Sequence, residues 1–408
     1  SDVANNFEII RVGEISEDEA IQLLSFEAIL LERKSKIGIG YFAVKKAVEL
    51  AHRYLRPKLL PSSADDLMKE ALETVKKSGR KFLRDSDIID LVSKKTKIPV
   101  AFAAGEEARE LLELEKKIHR RLIDQEEAVK AVSSAIRQYR AGLARSKGPI
   151  ASFLFIGPTG VGKTELAKSL AEIYFGSENS MIRFDMSEYQ AKSGIFRFIG
   201  SPEIEAGGTL TEAVKNNPFS LILLDEFEKA HPDVLNLFLA VFDDGRLTDG
   251  LGNTIDFGNT IIISTSNAHS DLIKSELEEG KSIAEISDLI KKRLTEYFRP
   301  ELLNRFDEIV AFKTLSAEDL QKIAALQIKS IAKQLAETKG INLVFGEELP
   351  KKLAELGWDP VFGARPLRGV IREKIRDPIA EKILREELAR GSEIKIDVRG
   401  DEFVIEIK

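Results

Sequence analysis

Cysteine is absent from this sequence, which excludes disulfides and thiolate metal sites. The four histidines, His52, His119, His231 and His269, are scattered without the spacing of metal ligands. No apolar run approaches the roughly 20 residues needed to span a bilayer, and the N-terminus lacks the shape of a signal peptide. No membrane partner is expected, and the chain reads as soluble and cytoplasmic. Neither sign of charge prevails: 61 Lys and Arg face 67 Asp and Glu, for a net charge of −6. An interleaved, slightly acidic surface of this kind disfavours a nucleic-acid partner. What remains for chemistry is carboxylates, amides and cations.

What is present suffices for several domains. At 408 residues with 43% hydrophobic content, the chain can fill two or three cores. It begins with Ser1, and Phe7 to Val12 reads as a strand without earlier partners, so the sequence is expected to be cut from something longer. Ser16 to Glu19 makes a capping box, and helical patterns follow from Phe42, Ala64 and Ser86, punctuated by Pro57, Pro61 and Pro99. Two charged amphipathic helices, Glu106 to Arg121 and Glu126 to Leu143, lead into a region where apolar strands alternate with helices. Those strands are Phe153 to Ile156, Ile182 to Phe184, Leu221 to Leu224, Ile261 to Ser264 and Ile309 to Phe312. Apolar runs of this length suit strands buried on both faces of a parallel, doubly wound α/β sheet. Beyond Ser316 the pattern is helical again, and Glu393 to Val398 with Phe403 to Ile407 reads as a hairpin. Three regions result: a helical one over 1–104, the α/β one over 105–313 and a smaller α+β one over 314–408.

The strand Phe153 to Ile156 runs directly into Gly157-Pro158-Thr159-Gly160-Val161-Gly162-Lys163-Thr164-Glu165, and a helix opens there. Strand, glycine loop and helix in this order form a Walker A loop. Glycines let backbone N–H groups converge on phosphate oxygens at a positive helix end, Lys163 reaches the terminal phosphates, and the Thr164 hydroxyl faces Mg²⁺. Further on, Leu221 to Leu224 delivers Asp225-Glu226 at a strand end, where open α/β sheets hold ligands. Asp225 would hold Mg²⁺ through water, and Glu226 would orient and deprotonate the attacking water. A third strand end carries Thr265-Ser266-Asn267. Asn267 could contact the γ-phosphate or the lytic water, or it could be an ordinary strand-end turn residue. Arg305 and Arg365, taken singly, read more readily as solvated or ion-paired arginines than as catalytic ones.

Longer words narrow the reading. Phe184-Asp-Met-Ser-Glu-Tyr189, Leu224-Asp-Glu-Phe-Glu-Lys-Ala-His-Pro-Asp233, Asp243-Asp-Gly-Arg-Leu-Thr-Asp249, Phe298-Arg-Pro-Glu-Leu-Leu-Asn-Arg-Phe-Asp307 and Gly363-Ala-Arg-Pro-Leu367 resemble the second AAA+ module of the Clp unfoldases and disaggregases. The resemblance runs from about Leu122 to the C-terminus. It implies a P-loop AAA+ sheet with a C-terminal small lid domain, ATP and Mg²⁺ as cofactors, and a ring of like subunits, hexameric in the family. The substrates it implies are unfolded or aggregated proteins. Asn267 resembles the family's sensor-1 residue, Arg305 its arginine finger and Arg365 its sensor-2 arginine. Leu122 and Ile123 fall where the family packs adenine, with Asp124 in place of the usual glycine. Residues 1–104 more loosely resemble the small helical subdomain that ends the family's first module; that module's own P-loop is not in this sequence.

Departures from the pattern matter as much. Between Ile199 and Gly208 the family has an aromatic loop that grips polypeptide in the ring's pore. Here the segment is shorter and has no aromatic, leaving Ile204 as its only sizeable apolar residue; an engineered deletion and a ring that naturally threads without tyrosine both fit. The link from Lys77 to Ser86 leaves no room for a long coiled-coil middle domain, so no Hsp70-type partner is implied. No docking tripeptide for a ClpP-type peptidase follows Asn267, so none is expected as a partner. Two rivals stand beside a protein-remodelling ATPase. One is a nucleotide-gated scaffold that moves no substrate. The other is a motor on DNA, for which the clusters Lys116-Lys117 with Arg120-Arg121 and Lys291-Lys292-Arg293 serve poorly, reading as solvated helix faces.

Overall fold

The computed structural model describes residues 14–55, 58–96, 106–145, 147–201, 206–359, 363–386, 388, 390–400 and 402–407. The strand expected at Phe7 to Val12 lies outside them, as does Ile204. Contacts divide the chain into two units, Ser1–Gly105 and Glu106–Lys408.

The first unit is helical. Helices α1 (Glu17–Ser35), α2 (Tyr41–Tyr54), α3 (Ser62–Lys77) and α4 (Asp85–Thr96) enclose Leu24, Val44, Val48, Leu67, Met68 and Ile88. The capping box at Ser16 is formed: its hydroxyl accepts from the Glu19 N–H at 3.3 Å, and Glu19 returns a bond to the Ser16 N–H at 2.9 Å. Two donors at the start of α1 are thereby satisfied.

In the second unit, the expected helix over Glu106 to Arg121 is two: α5 (Glu106–Leu112) and α6 (Leu114–His119). Glu113 breaks it with ψ of 8°, and with no glycine or proline there, periodicity alone gives no cue. Helix α7 (Glu126–Arg140) stops at Arg140 and not at Leu143. Gly142 takes φ of 74°, the Leu143 N–H bonds Gln138 O at 2.9 Å and the Gly142 N–H bonds Tyr139 O at 3.0 Å. That is a Schellman end, which a glycine allows and which helical periodicity does not show.

Five parallel strands form the central sheet: β1 (Ala151–Ile156), β2 (Met181–Asp185), β3 (Leu221–Asp225), β4 (Ile261–Ser266) and β5 (Glu308–Ala311), in spatial order β5-β1-β4-β3-β2. Their near-continuous burial follows from cover on both faces. Phe153, Phe155, Leu221, Leu223, Ile261 and Ile263 pack with Val132 and Ile136 of α7 and with Leu166 and Leu170 of α8 (Lys163–Phe175). The alternate residues Leu154, Ile156, Ile222, Leu224 and Ile262 face the other core, with Val234, Phe238 and Phe242 of α9 (Pro232–Asp244). Each such side chain, fully buried, contributes roughly 1.5–3 kcal/mol.

Past β5 the chain builds a third core. Helix α10 (Ala317–Lys339) precedes strand β6 (Asn342–Phe345), which pairs parallel with β7 (Glu393–Arg399). The expected hairpin is β7 with β8 (Glu402–Ile407). Ile328, Leu353, Leu367, Ile375, Ile394 and Ile396 lie inside.

Candidate nucleotide site

All five strands run the same way, so their carboxyl ends gather Gly157, Asp225, Asn267 and the residues after β5 along one edge of the sheet. The loop after β1 is shaped by glycine. Gly157 takes φ of 144° and Gly162 of 112°. A Cβ on Gly157 would stand 2.6 Å from Phe312 O, and one on Gly162 would stand 2.7 Å from the Leu122 side chain. No other residue fits either position without displacing its neighbour.

Lys163 opens α8 and is buried. Its ammonium donates to Gly157 O, to Pro158 O at 2.9 Å and to Asn267 Oδ1 at 2.8 Å. Burial lowers its pKa from the ordinary 10.5 to about 8; Asp225, Glu228 and Glu226 oppose the shift, and the nearby charge of Arg365 adds to it. Asp225, at the end of β3, accepts from the Thr265 hydroxyl through Oδ1 and from Arg183 at 2.5 Å through Oδ2. Glu226 follows in the left-handed region, φ 56° and ψ 48°, and its N–H reaches Thr265 Oγ1 at 3.4 Å. A left-handed residue other than glycine is strained by about 1–3 kcal/mol and recurs where function demands it. The neighbouring Phe227 anchors the turn, stacked on Phe298 at 5.6 Å and edge-on to Phe238 at 5.5 Å.

On the other side of the loop, Leu122 is buried against Gly162 and Ile123 is half-buried. Asp124 stands where the resembling family has glycine, and its φ is 60°. Asp is among the few residues that enter this region at low cost, so the exchange leaves the turn intact. Gln125 follows, also left-handed at φ 64°. Its buried amide donates to Val161 O at 3.3 Å and Lys313 O at 2.9 Å, and accepts from the Lys313 N–H at 3.1 Å. No local sequence pattern marks Gln125, yet its amide braces the P-loop to the segment leaving the sheet.

Arg121 corrects one expectation. It does not belong to a solvated basic face: its guanidinium meets Glu165 at 2.7 Å, Glu178 at 2.6 Å and Glu172. Burial works against its charge, yet the three carboxylates outweigh burial and raise its pKa. Glu165 thus ties the turn at Arg121 and Leu122 to the first turn of α8, and Arg368 approaches it at 3.8 Å. Arg365 is exposed beside Gly363, where a Cβ would stand 2.9 Å from Thr159 O. The small C-terminal region therefore leans on the P-loop.

Arg305 alone lies elsewhere. Ser152 Oγ bonds its carbonyl at 3.4 Å and the Asp307 N–H bonds Ser152 O at 2.9 Å, which puts it at the amino end of β1. The length of that strand, about 16 Å at roughly 3.3 Å per residue, separates it from Gly157. Its Nε sits 2.5 Å from Asp243 Oδ1, without hydrogen-bond alignment. Among the described residues no group of three or more His, Asp or Glu could hold a metal by itself, and no helix is long and apolar enough to cross a membrane.

Three protein families match segments of the chain: an AAA lid domain over 16–139, the AAA domain of the Cdc48 subfamily over 148–309, and the C-terminal D2-small domain of ClpB over 315–396. A probable chaperone protein ClpB 1 of Chlorobaculum tepidum is 41% identical over 98% of this chain and 90% of its own length. The chain belongs to the ClpB chaperone family. ClpB proteins are AAA+ ATPases, and the parallel sheet seen here is theirs. ClpB of Aquifex aeolicus is 48% identical over 78% of this chain. This chain spans about a third of the length of such relatives, 32% for that of Aquifex and 38% for that of Meiothermus ruber. Among solved structures, Hsp104 with ATPyS and FITC casein in a closed state superposes with a TM-score of 0.84 at 35% identity, over 98% of this chain and 70% of that one. The S. cerevisiae Hsp104:casein complex in an extended conformation does so at 34% identity.

Proposed function

We propose that this ClpB-family chain hydrolyses ATP at the carboxyl edge of its central sheet and couples the hydrolysis to remodelling of unfolded or aggregated polypeptide, within a ring of like subunits. The ring is hexameric, the large ATPase domain covers 105–313 and the small lid domain 314–408. The observation that carries this reading is the bond from Lys163 to Asn267 Oδ1 at 2.8 Å, which joins the phosphate loop to the third strand end beside Asp225. In this reading the loop from Gly157 to Thr164 cradles the phosphates, and adenine packs at Leu122 and Ile123. Lys163 exchanges its loop carbonyls for phosphate oxygens, and Asn267 orients the γ-phosphate or the lytic water. Glu226 takes the proton of that water, and Arg365 reaches the phosphates from the lid.

The residues present suit Mg²⁺. The Thr164 hydroxyl and Asp225 are hard oxygen ligands, and the carboxylates of Asp225, Glu226 and Glu228 all act on Lys163, a gathering of negative charge that suits a cation. When bound, the ion would neutralise charge developing on the phosphates. Arg305 cannot reach its own P-loop across the length of β1, which supports its serving a neighbouring subunit as an arginine finger. Glu226→Gln tests the chemistry. It should bind ATP with little change and turn over roughly 10² to 10⁴ times more slowly; unchanged turnover would remove Glu226 from the role of base.

One observation favours a second reading, the scaffold that gates assembly by nucleotide without threading. Gly200–Ser201 pairs antiparallel with Ala206–Gly207, closing the expected pore loop after four residues, none of them aromatic. Turnover stimulated by FITC-casein, with loss of structure in a tagged model substrate, supports remodelling; turnover indifferent to substrate supports the scaffold.

A further inference from the structure

Asn267 lies beyond the reach of the sheet's own hydrogen bonds. The β4–β3 ladder ends at Ser264 against Leu224, because β3 then curls through the left-handed Glu226 and its backbone leaves the sheet plane. The Asn267 N–H consequently has no strand partner, and a free donor at a strand end would let the amide side chain swing. Glu228 supplies the partner. It rides on the short turn Phe227–Lys229 and accepts from the Asn267 N–H through Oε1 at 3.1 Å. The turn is held in place by Phe227, buried among Phe238, Phe298 and Phe306. The second oxygen of Glu228 is buried and takes no hydrogen bond from any described residue, although Lys163 feels its charge. A buried carboxylate oxygen left in this way is costly and calls for an explanation beyond packing.

We propose that Glu228 is a positioning residue for the hydrolytic site: its carboxylate fixes the backbone of Asn267, so that the Asn267 amide is aimed at Lys163 and the phosphate it serves. The proposal rests on the role given above to Asn267. Thr265 also braces the same two strand ends, donating to Asp225 and accepting from the Glu226 N–H. The turn after β3 and the tip of β4 are thus tied together twice, once by a residue from each. Glu228 touches no reacting atom; it sets where Asn267 stands, and a misplacement on the order of 1 Å costs about 10²-fold in rate.

The test compares Glu228→Ala, Glu228→Gln and Asn267→Ala, singly and combined, in the whole chain. Glu228→Ala should lower kcat for ATP by roughly 10- to 100-fold with KM changed less than about threefold. Glu228→Gln, whose amide oxygen accepts the same N–H, should recover most of that loss. Glu228→Ala combined with Asn267→Ala should be no slower than Asn267→Ala alone, because both act through one side chain. Multiplying effects, or a Gln variant as slow as the Ala one, would overturn the proposal. If Asn267→Ala leaves turnover intact, the role of Asn267 is what fails, and hydrogen exchange then judges the brace. The Asn267 amide proton should be protected in the wild type and in Glu228→Gln and exchange fast in Glu228→Ala; equal exchange in all three rejects the brace.

Discussion

At the carboxyl end of the central sheet, Lys163, Asn267, Asp225, Thr265 and Glu228 hold one another in a mostly enclosed net. The amino end of the same sheet is polar too, but its groups pair at the surface: Arg305 with Asp243 at 2.5 Å and Arg145 with Asp307 at 3.0 Å, each arginine side chain about half exposed. Enclosure separates the two ends. A desolvated net changes the chemistry of its members, as the depressed pKa of Lys163 shows, whereas exposed pairs are worth little to the fold and can exchange partners. In our reading one end holds the nucleotide, and the other holds an arginine loosely enough to give it up.

The strongest way to break this contrast is Arg305→Ala. In our reading it lowers turnover about 10³-fold or more while each subunit's own ATP affinity stays within about twofold. Mixing it with Lys163→Ala subunits should restore measurable turnover, since each variant keeps the half that the other lacks; no recovery in mixed assemblies would deny the amino end its role in trans.

Next comes pH. The folded, nucleotide-free Lys163 has its pKa lowered from 10.5 to about 8, so the ammonium is a burden on the fold below pH 8. Its removal makes the fold gain stability as pH rises from about 8 to 10.5. Chemical denaturation should show that rise in the wild type and not in Lys163→Met. Phosphates select the ammonium, so ATP affinity should fall above pH 8 by up to about tenfold per pH unit. A fluorescent-nucleotide titration flat to pH 9.5 would show that the net does not hold Lys163 as described.

Two smaller effects compare the ends as structure. Gln125→Ala strands buried backbone groups of Val161 and Lys313 and should cost about 2–3 kcal/mol in denaturant unfolding. Arg145→Ala removes an exposed pair and should cost under about 1 kcal/mol. Equal costs would erase the distinction between enclosed and exposed polar groups.

The sequence made the first end far more legible than the second. Apolar runs found all five strands to within a residue or two, and the glycine spacing of the P-loop located Lys163. Asp225 and Asn267 were visible because each follows a strand that periodicity already marks. Glu228, Gln125 and the clamp on Arg121 were not singled out. Their partners lie far along the chain, up to 188 residues away for Gln125 and Lys313, and such pairs leave no local pattern. The placement of Arg305 required the strand directions, which only the assembled sheet provides.

Neighbouring positions along β1, β3 and β4 serve opposite cores, so the sheet obeys a parity rule. A single residue added at the start of β1 would exchange the two faces downstream of it and send Phe153 and Leu154 into each other's places, and the same rule holds for β3 and β4. Length can therefore vary in this protein only where no strand of the central sheet is spanned. The stretch from Gly200 to Gly207 is such a place, closing its own small hairpin between two helices. In the reading proposed above, its brevity changes what a ring would do to a substrate while the strand ends that carry Lys163, Asp225 and Asn267 keep their register.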